Sequence, residues 1–263
     1  MKIVTVSLDQ IWEDKKANMD QIADLMNIAC QTQPDVVVFP EMTLTGFTMN
    51  SRYFAEDFES SCTISFFQQL AKKYTTNIIF GVILNTEDKP TNNQIVVSKN
   101  GELLSRYEKI HPFSYSGEDN YYSKGQSIAQ FEIEGIKCAS TICYDLRFPE
   151  LYQILSKDSF VIFNIANWPE RRVDDWSLLL RARALENQCF LVGVNRTGVD
   201  GKGLSYQKSS AVISPIGKEI DHVQLNEFID EYTISIEDIE QYRTIFPIKK
   251  DRRIELYKSL MSC

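Results

Sequence analysis

The sequence predicts a mixed-sheet α/β layer fold carried by a single domain over residues 1–263. Three observations predict it. Strand-like apolar runs alternate with stretches of helical periodicity along the chain, the pattern of helices layered on sheets. Two turn-marked strand pairs, around Lys99-Asn100-Gly101 and Pro215-Ile216-Gly217-Lys218, add antiparallel edges, so the sheets are not all parallel. No Pro/Gly/Ser-rich linker and no repeat of fixed period divides the chain.

Residues 2–8 read as a strand. Over 17–32, Met19, Ile22, Ala23, Met26, Ala29 and Cys30 recur at helical spacing, which predicts a helix with one buried face. Pro34 and Asp35 then precede Val36-Val37-Val38-Phe39, a short apolar run expected of a strand covered on both faces. The pattern predicts a helix over 65–74 and a strand over 77–84, and strands over 94–98 and 102–107 flank the first turn. A strand over 136–142 leads into a helix over 149–155, followed by strand 160–165, helix 174–188 and strand 189–195. Strands over 211–214 and 219–223 flank the second turn, and 232–236 is the last expected strand.

Composition narrows the function. Apolar residues at 43% and charged residues at 24% are ordinary globular values, which argues against long disorder or a coiled coil. A chain of 263 residues can bury a core without disulfides or a structural metal. Lys plus Arg number 28 against 36 Asp plus Glu, a net charge of −8, which disfavours nucleic acid or an anionic membrane as partner. The one basic cluster, Lys249-Lys250-Asp251-Arg252-Arg253, reads as a solvated surface or a subunit contact. No apolar run approaches the ~18 residues of a membrane span, and the opening MKIVTVSLDQ lacks a signal-peptide pattern. A soluble, cytoplasmic protein is expected, so the glycosylation spelling Asn195-Arg196-Thr197 carries no weight.

Six cysteines (Cys30, Cys62, Cys138, Cys143, Cys189 and Cys263) show no C-x-x-C pair and no disulfide framework. Thiol redox chemistry between Cys138 and Cys143 is disfavoured, since an odd offset along a strand puts the two on opposite faces. Only His111 and His222 exist, without metal-ligand spacing, so no metal and no cofactor is expected. No G-x-S-x-G elbow accompanies them, so a hydrolase built here would use a carboxylate as base.

Reactive residues follow strands at three places, where α/β folds build sites. Glu41 ends Val36-Val37-Val38-Phe39-Pro40-Glu41. Lys109 lies in Tyr107-Glu108-Lys109-Ile110-His111-Pro112-Phe113. Cys143 sits at a strand-to-helix turn, where a helix N-terminus can favour a thiolate. Taken singly, each reads more simply as a loop carboxylate, a surface lysine and a core cysteine.

Together, V-V-F-P-E, Y-E-K-I-H-P-F and I-C-Y-D-L-R-F-P-E resemble the nitrilase superfamily of carbon–nitrogen hydrolases. The resemblance continues through Asn167-Trp168-Pro169, residues 181–188 and residues 193–198, and so spans most of the chain. It implies a Glu41–Lys109–Cys143 triad, with Cys143 as nucleophile, Glu41 as base, and Lys109 and the Tyr144 backbone N–H stabilising the oxyanion. It also implies an α-β-β-α sandwich that pairs face to face with a second copy as a homodimer. Glu118 falls where this superfamily places a second glutamate, with neighbouring Asp119 as the alternative. K-I-H-P-F-S-Y-S-G-E-D and N-W-P-E-R-R are most similar to the bacterial ω-amidase group. That likeness implies a small-molecule amide substrate, the terminal carboxamide of an acidic ω-amide such as 2-oxoglutaramate or 2-oxosuccinamate.

Competing readings are an N-carbamoyl amidase, a metabolite-repair amidase, a nitrilase, or a non-catalytic interaction protein on the same fold. Trp168 is expected either to line the substrate pocket or to cap a strand. Arg171 and Arg172 follow it closely, and one of them is expected to bind a substrate carboxylate, as guanidinium groups do bidentately. Arg147 is expected in a structural ion pair. Residues 198–203 lack a phosphate-binding motif and read as a flexible loop.

Overall fold

The computed structural model describes residues 1–261, so Cys263 lies outside the described residues. Strand β1 (Lys2–Val6) precedes α1 (Lys15–Ala29), which begins where the Asp14 carboxylate accepts the Ala17 N–H at 2.9 Å. The buried face of α1 runs through Asn18, Ile22, Leu25, Met26 and Ala29, while Ala23 and Cys30 are only half-buried. Then come β2 (Val36–Val38), the single turn α2 (Ser51–Phe54), α3 (Cys62–Tyr74) and β3 (Asn77–Leu84). Strands β4 (Thr91–Val97) and β5 (Leu103–Glu108) form the expected first hairpin, and the single turn α4 (Glu118–Tyr121) follows.

The second half starts with a hairpin of β6 (Gln130–Ile133) and β7 (Ile136–Ile142), then α5 (Pro149–Leu155), β8 (Val161–Ala166), α6 (Val173–Asn187) and β9 (Phe190–Asn195). Short β10 (Gly198–Val199) and β11 (Ser205–Tyr206) pair with each other. The chain continues through β12 (Ala211–Ile213), β13 (His222–Gln224), β14 (Ile229–Thr233), α7 (Glu237–Ile245) and α8 (Ile254–Met261).

Two mixed sheets result. One is seven-stranded in the order β13-β14-β1-β2-β3-β4-β5, parallel only across β1-β2-β3. The other is five-stranded, β12-β9-β8-β7-β6, parallel only across β7-β8-β9. Alternation along the strands sorts the layers. Val4, Val6, Val37, Ile78 and Phe80 meet Ile22, Met26, Phe67 and Leu70 of α1 and α3. Their neighbours Ile3, Val36, Val38, Ile79 and Val96 share a core with the second sheet and with Leu151, Leu155 and Leu180 of α5 and α6. The layers are therefore helix, sheet, sheet, helix.

Two expectations change. The turn at 214–218 closes a hairpin for only a few residues, with Ser214 N–H donating to the Lys218 carbonyl at 2.7 Å. Beyond it the arms separate, β12 pairing with β9 and β13 with β14, so this turn carries the chain from one sheet to the other. The basic cluster is only partly solvated. Lys249 donates to the Ser156 carbonyl and Arg252 to the Glu186 carbonyl (2.9 Å), while Arg243 reaches the carbonyls of Gln188 (2.9 Å) and Ser159 (3.2 Å). These cations sit on the carbonyl-rich C-terminal ends of α5 and α6, where the helix dipoles favour positive charge. Burial and the nearby Arg243 push the Lys249 ammonium down to about 8. Among the described residues no helix is long and apolar enough to cross a membrane.

Candidate active site

Glu41 follows β2 on a loop held by three devices. The Gln10 side-chain amide donates to the carbonyls of Glu41 (2.9 Å), Met42 (3.0 Å) and Thr43 (3.2 Å). Thr43 Oγ1 donates to the Pro40 carbonyl (2.7 Å) and accepts the Gly81 N–H (2.8 Å). Gly81 lets this loop press onto β3, because a Cβ there would lie 2.2 Å from the Met42 nitrogen. Lys109 leaves β5 with its N–H donating to the Asn92 carbonyl at 2.8 Å.

Cys143 leaves β7 with φ +47°, a left-handed backbone that a non-glycine residue adopts at a cost of roughly 1–3 kcal/mol. It opens the 3₁₀ turn Cys143–Arg147, so the Tyr144 N–H lies in a first turn, where backbone donors lack upstream partners. Buried Asp145 clamps this elbow to the lysine segment. Its carboxylate accepts the Ile142 N–H (2.9 Å), the Tyr107 hydroxyl (2.7 Å), the His111 N–H (3.1 Å) and bonds His111 Nδ1 (2.8 Å).

These segments bring Glu41, Lys109, Glu118 and Cys143 into one buried group. Lys109 Nζ donates to Glu41 Oε1 at 2.8 Å and to both Glu118 oxygens at 3.1 and 2.9 Å. Asn92 Nδ2 donates to Glu41 Oε1 (2.7 Å) and Glu118 Oε1 (3.2 Å), and the Asn167 N–H donates to Glu41 Oε2 (2.9 Å). The Phe113 N–H donates to Glu118, whereas Asp119 is exposed. Two carboxylates therefore share one ammonium.

The electrostatics follow from that ratio. Burial alone would lower the Lys109 ammonium, but the charges of Glu118 and Glu41 outweigh it and hold it well above its ordinary value. Burial raises the Glu118 carboxyl, with Lys109 opposing and the Glu41 charge adding to the rise. Burial and the Glu41 charge push the Cys143 thiol well up, against the pull of Lys109.

The group opens onto a cavity of about 210 Å³ that Cys143 lines. Phe47, Phe113, Tyr144, Trp168 and Tyr206 give it aromatic walls, and Arg147, Arg171 and Arg172 give it positive charge. Arg147 pairs with Asp175 at 2.6 Å. Arg171 and Arg172 have no carboxylate partner among the described residues; Arg171 is exposed, and half-buried Arg172 stacks over Phe113 at 5.1 Å. Trp168 both lines the cavity and donates its indole N–H to the Arg172 carbonyl at 2.7 Å. Among the described residues no group of three or more His, Cys, Asp or Glu is placed to hold a metal ion. Cys138 is a buried free thiol outside the cavity lining.

The carbon-nitrogen hydrolase family profile matches residues 2–244, most of the chain. The protein belongs to the carbon–nitrogen hydrolases of the nitrilase superfamily. It is 33% identical over 264 residues to a Staphylococcus aureus protein named "hydrolase in agr operon", covering 98% of this chain and all of the relative. It is 32% identical to omega-amidase YafV of Yersinia enterocolitica, over 95% of this chain and 96% of that one. The 2-oxoglutaramate amidase of Bacillus subtilis is also 32% identical, over 85% and 86%. Among solved structures, the CN-hydrolase superfamily protein XC1258 of Xanthomonas campestris, which carries an arsenic adduct in its active site, superposes with a TM-score of 0.89 at 32% identity, over 96% and 97%. This chain is thus a hydrolase acting on carbon–nitrogen bonds.

Sequence reasoning passed over several residues that the geometry brings to the site. Asn92, Asn167 and Asp145 carry polar contacts to its core, and Phe47, Phe113 and Tyr206 line its cavity. Asn92 stands in Thr91-Asn92-Asn93-Gln94, a run of buried polar residues that is unusual for a central strand and could have signalled it. Residues 198–203, read as a flexible loop, instead belong to the pinned β10–β11 hairpin, whose second strand is Ser205–Tyr206.

Proposed function

We propose that this hydrolase cleaves the terminal carboxamide of a small acidic ω-amide, such as 2-oxoglutaramate or 2-oxosuccinamate, through a thioester on Cys143. One observation carries the reading: the Glu41–Lys109–Cys143 group lies at a cavity whose other charged residues include two guanidiniums with no carboxylate partner among the described residues. Glu41 takes the thiol proton as sulfur attacks the amide carbon. The tetrahedral oxyanion meets the Lys109 ammonium and the Tyr144 N–H. The carbon–nitrogen bond then breaks, Glu41 gives its proton to the departing nitrogen, and ammonia leaves. Water deprotonated by Glu41 adds to the thioester, and sulfur departs with a proton to leave free thiol and the carboxylic acid. The raised thiol supports a base that acts during attack rather than a standing thiolate.

Glu118 holds Lys109 and keeps its charge in place. Arg172 is the better partner for the substrate carboxylate, because stacking over Phe113 orients it and Trp168 holds its backbone, while Arg171 is exposed at the rim. Homologues named omega-amidase and 2-oxoglutaramate amidase support this substrate class. The reading includes a single cytoplasmic domain and a homodimer through α5 and α6, whose outward Ile154, Leu178 and Leu185 are exposed. Light scattering after gel filtration at the mass of one chain would remove the dimer.

Ammonia release across ω-amides, N-carbamoyl amino acids, neutral amides and nitriles tests the function. The highest kcat/KM is expected for ω-amides bearing a carboxylate. A preference for carbamoyl compounds or nitriles would move the protein to another branch, and no turnover of any would favour a non-catalytic role.

A further inference from the structure

The β10–β11 hairpin contributes Leu204 and Tyr206 to the cavity lining. It is unusually well braced for a segment of two-residue strands. Within it, the buried Asp200 carboxylate accepts the N–H groups of Lys202 (2.8 Å) and Leu204 (2.9 Å) and the Tyr206 hydroxyl (3.0 Å). Behind it, Arg196 is fully buried, with its guanidinium carbon 4.6 Å from the Tyr206 ring centroid, a cation–π contact out of water. The same guanidinium donates to the carbonyls of Gln10 (3.1 Å) and Val199 (3.4 Å), and its Nε donates to the Thr197 carbonyl (3.0 Å). Beneath it, Gly201 lies so close to Trp12 that a Cβ would come within 2.2 Å of the indole.

The far end of this bracing is the active site. Gln10, whose carbonyl receives Arg196, is the residue whose amide holds the Glu41 loop. Tyr206 and Cys143 line the same cavity. An aromatic wall of the cavity that Cys143 lines is thus tied, through Arg196 and Gln10, to the loop that carries Glu41.

We propose that Tyr206 is the specificity-determining residue for acyl-chain length, with Arg196 as its positioning residue. The inference rests on the ω-amide reading. When the amide reaches Cys143 and the carboxylate reaches an arginine, the intervening methylenes lie against Tyr206. A wall that yields accommodates several lengths, whereas a braced one separates neighbouring lengths by roughly ten-fold or more per methylene.

The test measures dissociation constants of the Cys143→Ala variant for malonamate, succinamate, glutaramate and adipamate by calorimetry. It repeats them with Tyr206→Ala, Tyr206→Phe or Arg196→Met added, alongside kcat/KM for ammonia release with Cys143 intact. The parent should prefer one length about ten-fold over the next longer. Tyr206→Ala should move the optimum to a longer chain, and Arg196→Met should flatten the preference. Tyr206→Phe, which keeps the ring, should keep the optimum. An unchanged length preference in Tyr206→Ala, with the fold intact by circular dichroism, would overturn the proposal even if the enzyme is an ω-amidase. Failure of the intact enzyme to release ammonia from every member and from 2-oxoglutaramate would instead remove the ω-amide reading, and this inference with it.

Discussion

Glutamate, lysine and cysteine meet around Glu41 and again around Glu56. At Glu56 one carboxylate accepts from Lys15 Nζ (2.5 Å), Ser61 Oγ, Cys62 Sγ (3.2 Å), Thr63 N (3.0 Å) and Thr63 Oγ1 (2.6 Å). Donors outnumber acceptors there, and Lys15 and the hydroxyls hold the carboxyl down to about 2 despite burial. Its cysteine is exposed, and the neighbouring cavity, about 10 Å³, has room for about one water. At Glu41 the charge balance differs. Two carboxylates share one ammonium, the thiol sits on a left-handed elbow, and a cavity of about 210 Å³ opens beside it. The same three residue types make a helix-start brace in one place and a buried group beside a cavity in the other. A second carboxylate on the one ammonium, with open space alongside, is the difference.

The largest expected effect separates the two cysteines. Cys143→Ser should lower kcat/KM by roughly 10⁴-fold or more, as loss of a covalent nucleophile does. Cys62→Ser should stay within about two-fold, as an exposed substitution does. Equal effects in a steady-state assay would erase the contrast. Next come the lysines. Lys109→Ala should reduce kcat by about 10²- to 10³-fold, the scale of one lost oxyanion donor, with KM nearly unchanged. Lys15→Ala should leave kcat alone and lower the melting temperature. A change confined to KM at Lys109 would make that lysine a binding contact only.

Much of this could be read from the residues alone. Glu41, Lys109 and Cys143 each follow a strand, and their flanks are distinctive, so their grouping was legible before any coordinates. The α1 face, β3, β7 and α5 also stood out, because period and punctuation agree there. What escaped depends on distance. β12 and β13 look like hairpin partners in sequence, but each finds a longer partner in a different sheet. Arg243, Lys249 and Arg252 look solvated until the ends of α5 and α6 arrive beneath them. The clamp made by Asp145 escaped, since its four bonds go to Ile142 and to Tyr107 and His111, which lie more than thirty residues earlier.

Smaller effects sharpen the comparison through pH. Glu118 takes up a proton above the ordinary carboxylate range, so activity should fall on acidification earlier than a free carboxylate would dictate. Glu118→Gln removes that group, and the acid limb of the kcat profile should move to lower pH. An unmoved limb would show that Glu118 takes no part in the titration. Glu56 works in the opposite direction. Its folded carboxyl binds a proton less tightly than the unfolded one, so it stabilises the fold above pH 4.5 and loses that contribution as pH falls toward about 2. Glu56→Gln should lower the melting temperature at neutral pH and flatten its decline across that acid window. An unchanged slope would mean the brace contributes nothing to acid stability.

Gly81 has a consequence for how this enzyme can fail. It offers the neighbouring loop only a hydrogen, and β3 and that loop close to a spacing no side chain tolerates. One added methyl there would lever the Glu41 carboxylate away from its ammonium without altering any reactive group. Damage of that kind leaves every functional side chain in the sequence and shows up only as misalignment, so an inventory of active-site residues would pronounce a crippled enzyme intact.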